Sequence, residues 1–200
     1  MSTGATPKGL FIPVFGLGGT ALDPGGQAQF IGKAKARRLE CPDVAYQYTD
    51  TQAIQGAILS FARRFPHLPI FSEGDSCGAN VQAQILANCA PIKLDLVGCV
   101  QASQYCNFNY PNIGANCKRI MIFYSSWVLT GGLGVFIPQP ASVPTSPVVR
   151  GDWHIVNGGS TLYQARYVPA PHPDDQDVTN VQNPFFSVVD AILTDSAGQA

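Results

Sequence analysis

Apolar and polar positions along this chain switch between two rhythms. Short continuous apolar runs read as buried strands, and apolar residues recurring three and four apart read as helices. Leu10 to Phe15 (LFIPVF) is the first such run, stopped by Gly16, Gly18 and Gly19. Gln27 to Leu39 has helical composition with a basic outer face, and Val44 to Tyr48 alternates as a short strand. Asp50 reads as the N-cap of a second helix whose inner face carries Ile54, Ile58, Phe61 and Ala62. His67 and Pro69 break that helix, and a strand follows over Leu68 to Ser72. Beyond a turn from Gly74 to Gly78, Val81, Ile85 and Leu86 recur at helical spacing as far as Asn88. Leu94 to Val100, Ile120 to Tyr124 and Leu162 to Val168 supply three more strands. Asn183 and Pro184 open a last helix as N-cap and first position, with Phe185, Val188, Val189 and Ile192 along it.

Strands alternating with helices predict an α/β fold. The expected form is a single three-layer domain over residues 1–200, its central, mostly parallel sheet flanked by helices. Charged residues make up 12% of the chain, about half the usual share of roughly 25%. With 20 Gly and 16 Pro, this describes a loop-rich globule with a weakly charged surface. Twelve Lys and Arg against 13 Asp and Glu leave a net charge of −1, and no basic stripe invites a nucleic acid. From Met121 to Val149 there is no charge at all. Ser, Gly and Pro interrupt that stretch, so it reads as a buried strand followed by a long loop over 127–151 rather than a membrane span. The first residues lack the apolar core of a secretory signal, which favours a cytoplasmic location. Six cysteines include no C-x-x-C pair and no histidine at finger spacing, so neither a metal nor another cofactor is expected. The same missing signal favours free thiols over disulfides.

Chemistry concentrates at FSEGDSCGAN, residues 71–80, where Gly74, Ser76 and Gly78 spell G-x-S-x-G. In a parallel sheet, sites form beyond the carboxyl ends of the strands. Ser76 falls there, after a strand and before a helix, and the flanking glycines permit the sharp turn that exposes a nucleophilic hydroxyl. A serine needs a base. His67 precedes its strand and lies at the opposite edge; His172, in YVPAPHPDD, follows the last strand at the matching edge, with His154 in reserve. Asp152 precedes His172 in the chain and is the chosen acid to orient it, ahead of Asp174, Asp175 and Asp75, with a Ser–His dyad also open. The backbone N–H groups of Cys77 and Leu17 are the candidate oxyanion donors. Trp127, Leu129 and Phe136, in the uncharged loop, are candidate contacts for an apolar ester substrate.

VFGLGGT, GDSCG and PAPH, in that order, resemble the strand with oxyanion loop, nucleophile elbow and histidine loop of the α/β-hydrolase superfamily. The likeness covers nearly the whole chain. The short length and RGDWHIVNGGSTLYQARYVPAPH are similar to cutinases, compact lidless esterases, over a few short matches. The resemblance implies a serine hydrolase cleaving carboxylic esters through an acyl-enzyme, with a Ser-His-Asp triad. Phe15 stands where the superfamily often has His, and the strand ending at Tyr124 runs into SSW rather than a Gly-Asp turn. Three other readings remain. G-D-S suits an SGNH-type esterase, but that family places it after the first strand. Gly16, Gly18 and Ala21 fit a dinucleotide-binding oxidoreductase, but Pro24 follows where a helix should run. The third is a non-enzymatic binding or assembly protein on a hydrolase scaffold, meeting a protein partner through the apolar loop.

Overall fold

The computed structural model describes residues 6–16, 26–79, 88–100, 116–124, 154–156, 161–167 and 178–198. In chain order the elements are β1 (Gly9–Phe15), α1 (Gly26–Ala36), β2 (Leu39–Glu40), β3 (Tyr46–Gln47), α2 (Thr51–Arg64) and β4 (Ile70–Asp75). Then come β5 (Leu96–Val100), β6 (Arg119–Tyr124), β7 (His154–Val156), β8 (Thr161–Tyr167) and α3 (Asn183–Ala197). The strands form one sheet in the order β2-β1-β4-β5-β6-β8-β7, with β3 beside the far end of β1. Every pairing is parallel except that of β7 with β8. This is the expected α/β class, a mostly parallel sheet with helices on its faces.

Apolar runs make β1, β5 and β6 because both faces of these central strands are covered; β4, equally buried, also carries Ser72, Glu73 and Asp75. Along β1, Leu10, Ile12 and Val14 join a core beneath α2, with Ile54, Ile58 and Phe61. Phe11 points the other way, into a second core with Phe30 and Ala34 of α1 and Phe185, Phe186 and Val189 of α3. The placement of the helices follows from handedness. The chain leaves β1 for β2 on one side and returns from β3 to β4 on the other. Right-handed crossovers in opposite directions put α1 and α2 on opposite faces.

The second core is aromatic. Phe30 and Phe185 lie with ring centroids 5.7 Å apart, and Phe185 and Phe186 meet edge-on at 5.4 Å. The Arg37 guanidinium covers the outer side of Phe186 at 4.5 Å while pairing with Asp190. Each fully buried Phe contributes on the order of 2 kcal/mol by area alone. Gly98 of β5 makes room for this layer: a Cβ there would sit 2.9 Å from two ring carbons of Phe185.

Several expectations shift. Leu39 belongs to β2 instead of extending α1, and the predicted strand over Val44 to Tyr48 shrinks to β3. β4 runs on to Asp75, so the turn is tighter than the glycines alone suggested. Asp50 does occupy the N-cap of α2 but makes no side-chain cap; its carboxylate accepts the Gln47 N–H at 2.9 Å instead. Asn183 is helical rather than a cap, because a π-helical turn over Val178–Gln182 precedes it. Its side-chain oxygen accepts a hydrogen bond from Lys33 at 3.0 Å. The helix expected over Val81 to Asn88, and the loop over 127–151, lie outside the described residues except at Asn88. No described helix is long and apolar enough to cross a membrane.

The thiols are mixed, against the expectation of six free groups. Cys41, Cys89, Cys99 and Cys117 are free, whereas Cys77 is disulfide-bonded. Burial pushes the Cys117 thiol up to about 12 and the Cys99 thiol well above its usual range. Cys41 is the half-exposed member of the four.

Two outcomes follow from this packing. Gly98→Val, which drives two methyls toward the Phe185 ring, destabilises the chain by about 1–3 kcal/mol. Urea unfolding reads this as a lower midpoint at unchanged m. Among the four free thiols, Cys41 reacts first with a thiol-specific reagent in the native state, while Cys89, Cys99 and Cys117 react at the rate of unfolding; mass mapping of the labelled peptides orders them.

Candidate active site

The carboxyl ends of β1 and β4 part company. The chain beyond β1 turns toward β2, and the chain beyond β4 turns toward β5. Such a reversal leaves a crevice between the two strand ends, the place where parallel sheets bind ligands. Gly16 closes β1 at this point, and Ser76 closes β4.

Ser76 sits between β4 and a helical turn over 77–79, with φ at 50°. That left-handed backbone costs a non-glycine residue roughly 1–2 kcal/mol. Its neighbours hold it there. The Ser76 N–H donates to the Val100 carbonyl at 2.9 Å, continuing the ladder one residue past β4. Gly78 lies against the end of β1, where a Cβ would come within 2.4 Å of the Val14 oxygen and 2.9 Å of the Phe15 oxygen. A Cβ on Gly16 would lie 2.8 Å from the Ser76 Cβ. Backbone approaches this close admit only glycine at both positions. Ser76 itself is 7% exposed.

The polar groups beneath the turn are as closely set. Phe71 enters the core with α1 and α3, and strand alternation puts Glu73 and Asp75 on the same face. Glu73 is fully buried and accepts a hydrogen bond from Gln27 of α1 at 2.7 Å. The Asp75 carboxylate lies beside Gly16, 3.3 Å from where a Cβ would be. Gln182, in the turn before α3, donates to Gln29 at 2.9 Å. Sequence reasoning gave Gly16 its place at the end of the first strand but not its contact with Ser76, and it passed over Glu73 and Gln27. A buried carboxylate in a strand was the available sign for Glu73; nothing local marks Gln27 as its partner.

Ser76 follows β4 and Cys77 opens the helical turn, its sulfur held in a disulfide. Leu17, Asp152, His172, Trp127, Leu129 and Phe136 lie outside the described residues. His67 stands at the amino edge, as expected. The reserve base His154 is excluded by register. It pairs with Tyr163, which is level with Ile120, Val97 and Ser72 across the sheet. That puts it four strands, about 19 Å, to the side of β4 and four residues, about 13 Å, short of Ser76. No group of three or more His, Cys, Asp or Glu that would hold a metal occurs among the described residues.

The chain matches no family model and no curated protein. Among solved structures, it is similar to a protein of unknown function from Agrobacterium tumefaciens str. C58. That likeness has 12% identity and a TM-score of 0.45 over 98% of this chain and 93% of that one. It is also similar to an acetyl xylan esterase, solved as an iodinated complex, with 13% identity and a TM-score of 0.39 over 94% of this chain and 100% of that one. Both are distant likenesses in the course of the chain, and the reading of the site rests on its own geometry.

The backbone of Ser76 gives a direct test. Ser76→Gly relieves the left-handed residue and Ser76→Ala does not. The glycine variant is therefore the more stable of the two by about 1 kcal/mol, measured as the difference in their urea midpoints. Equal midpoints would contradict the backbone assigned here.

Proposed function

We propose that this chain is a serine hydrolase that cleaves carboxylic esters through an acyl-enzyme. The observation that carries the reading is Ser76 held at φ 50° between strand and helix, in the crevice where β1 and β4 diverge. A turn of this kind is a nucleophile elbow: it points the hydroxyl away from the strand, at the entrance of a helix whose free N–H groups favour negative charge. The strain is in keeping with a functional position, since ordinary turns place glycine or asparagine there.

In this reading His172 takes the Ser76 proton as the oxygen attacks the ester carbonyl. It then protonates the leaving alcohol, and in the second half it activates water against the acyl-enzyme. Its strand supports the assignment. β8 is parallel to β4, three strands away, and ends at the same edge. Three strand spacings are about 14 Å, and the five residues from Tyr167 to His172 span up to about 17 Å. Asp152 orients the imidazole. It precedes β7, which neighbours β8 and runs antiparallel, so the chain enters β7 from the carboxyl side. The N–H groups of Leu17 and Cys77 hold the oxyanion, the first from the loop that Gly16 opens and the second from the start of the helical turn. Trp127, Leu129 and Phe136 contact an apolar acyl or alcohol group.

A fluorophosphonate probe with intact-mass readout tests the nucleophile. The native protein gains one probe mass, and Ser76→Ala gains none while unfolding at a similar urea concentration. Hydrolysis of p-nitrophenyl esters should fall by at least ~100-fold in Ser76→Ala and in His172→Ala. Absence of labelling on folded protein would remove the hydrolase reading and leave a scaffold that binds without chemistry.

A further inference from the structure

The opposite edge of the sheet carries a second concavity. At the amino ends of β4, β5 and β6, a groove of about 560 Å³ runs between the end of α2 and the residues leading into β5. Phe65, Leu68 and Ile92 supply an apolar strip in a lining that is otherwise mostly polar, and Lys93 and Lys118 give the rim its charge, beside His67. The floor is built from directional contacts. Asp95 is 9% exposed; one of its carboxylate oxygens accepts the Ile70 N–H at 2.9 Å and the other pairs with Lys118 at 2.8 Å. The groove's one acidic side chain is therefore already engaged. Lys93 is exposed and has no carboxylate partner among the described residues.

The wider field has the same sign. Of the chain's 12 Lys and Arg, all but Arg150 and Arg166 stand at strand beginnings or helix ends on this edge, which makes ten. Among the described residues, five carboxylates accompany them: Glu40, Asp43, Asp95, Asp190 and Asp195. Ten minus five leaves a formal charge of +5 on this edge among the described residues. The carboxyl ends of α1, α2 and α3 also face it, each equivalent to roughly −0.5 charge. Their combined −1.5 offsets less than a third of the formal charge, so the face stays positive. A net charge of −1 for the whole chain concealed this segregation, which appears only when helix and strand directions are known.

We propose that this groove binds an amphiphilic organic anion, a carboxylate carried on an apolar body. The headgroup lies at Lys93, beside the engaged Lys118, and the body lies along Phe65, Leu68 and Ile92. The volume falls within the range of roughly 300–1,000 Å³ typical of small-molecule sites. The groove is at the far edge of the sheet from Ser76 and does not depend on the hydrolase reading.

Titration of the ¹⁵N-labelled full chain with sodium octanoate, below its micelle-forming concentration, tests this. Saturable amide shifts are expected within residues 65–70, 92–95 and at 118. Lys93→Glu should weaken the apparent affinity at least about tenfold, and Lys93→Arg should keep it within about threefold. Octan-1-ol, with the same body and no charge, should give no saturable shift. Ser76→Ala should bind octanoate as the parent does, whatever becomes of its ester chemistry. The proposal is overturned if nothing saturates, if the shifts centre on Gly16 and Ser76, if octan-1-ol binds as well, or if Lys93→Glu leaves the affinity unchanged.

Discussion

Gly78 touching the last two carbonyl oxygens of β1 is the contact on which the site depends. It brings the helical turn after β4 down onto the end of a neighbouring strand, closer than any side chain allows. With that turn fixed, Ser76 has no room for a relaxed backbone and takes φ at 50°. The hydrogen bond from Ser76 N–H to Val100 ties the same residue to β5 on its other side. The residue is therefore gripped by both neighbouring strands, and the cost of its backbone, roughly 1–2 kcal/mol, is met by packing that would be lost if it relaxed. The glycines of G-x-S-x-G matter here less as flexible joints than as absent side chains.

The fold assigns different kinds of force to its two ends. The middle and amino part of the sheet is held by apolar contact, with Phe11, Phe30, Phe185 and Phe186 on one face and Ile54, Ile58 and Phe61 on the other. Such contact is strong and tolerant of small shifts. At the carboxyl end the contacts become directional: Gln27 on Glu73, Gln29 with Gln182, and glycine against backbone. Buried polar contacts of this sort add little net stability, about 1 kcal/mol each, but they penalise displacement heavily. Placed beside Ser76, they fix α1 and the turn before α3 relative to β4.

The class of the fold was legible because it rests on periodicity. Both-face burial writes β1, β5 and β6 as largely continuous apolar runs and β4 as a short one ending at Phe71, and Ile54, Ile58 and Phe61 announce α2. The failures share a cause in contacts distant along the chain. Leu39 looked like one more helical residue, but pairing with Gly9 makes it a strand. Asn183 looked like a cap, but the turn before it continues the helical path and hands its side chain to Lys33. β7 has three residues and exists only through its pairing with β8. At the site, the turn at Ser76 was readable from GDSCG once a strand was placed before it. The Gly16 contact was not, because sixty residues separate it from Ser76.

Charge shows the same dependence on topology. Composition gives a nearly neutral, weakly charged chain, with one short basic window over Lys33 to Arg38. Yet every parallel βα unit returns its helix end and its next strand beginning to the same edge. Lysines and arginines placed to favour helix carboxyl ends therefore accumulate there, although each is locally unremarkable. The corollary concerns the other edge. Among the described residues, Arg166 is the one Lys or Arg toward the carboxyl ends, and it spends its Nε–H on Gln164. In the proposed ester cleavage, negative charge developing at Ser76 is met by backbone N–H groups at the start of the helical turn, which carry no formal charge and need no counter-ion. Such donors work only when their direction is fixed in advance, and the glycine contacts and buried amides around Ser76 supply that fixity.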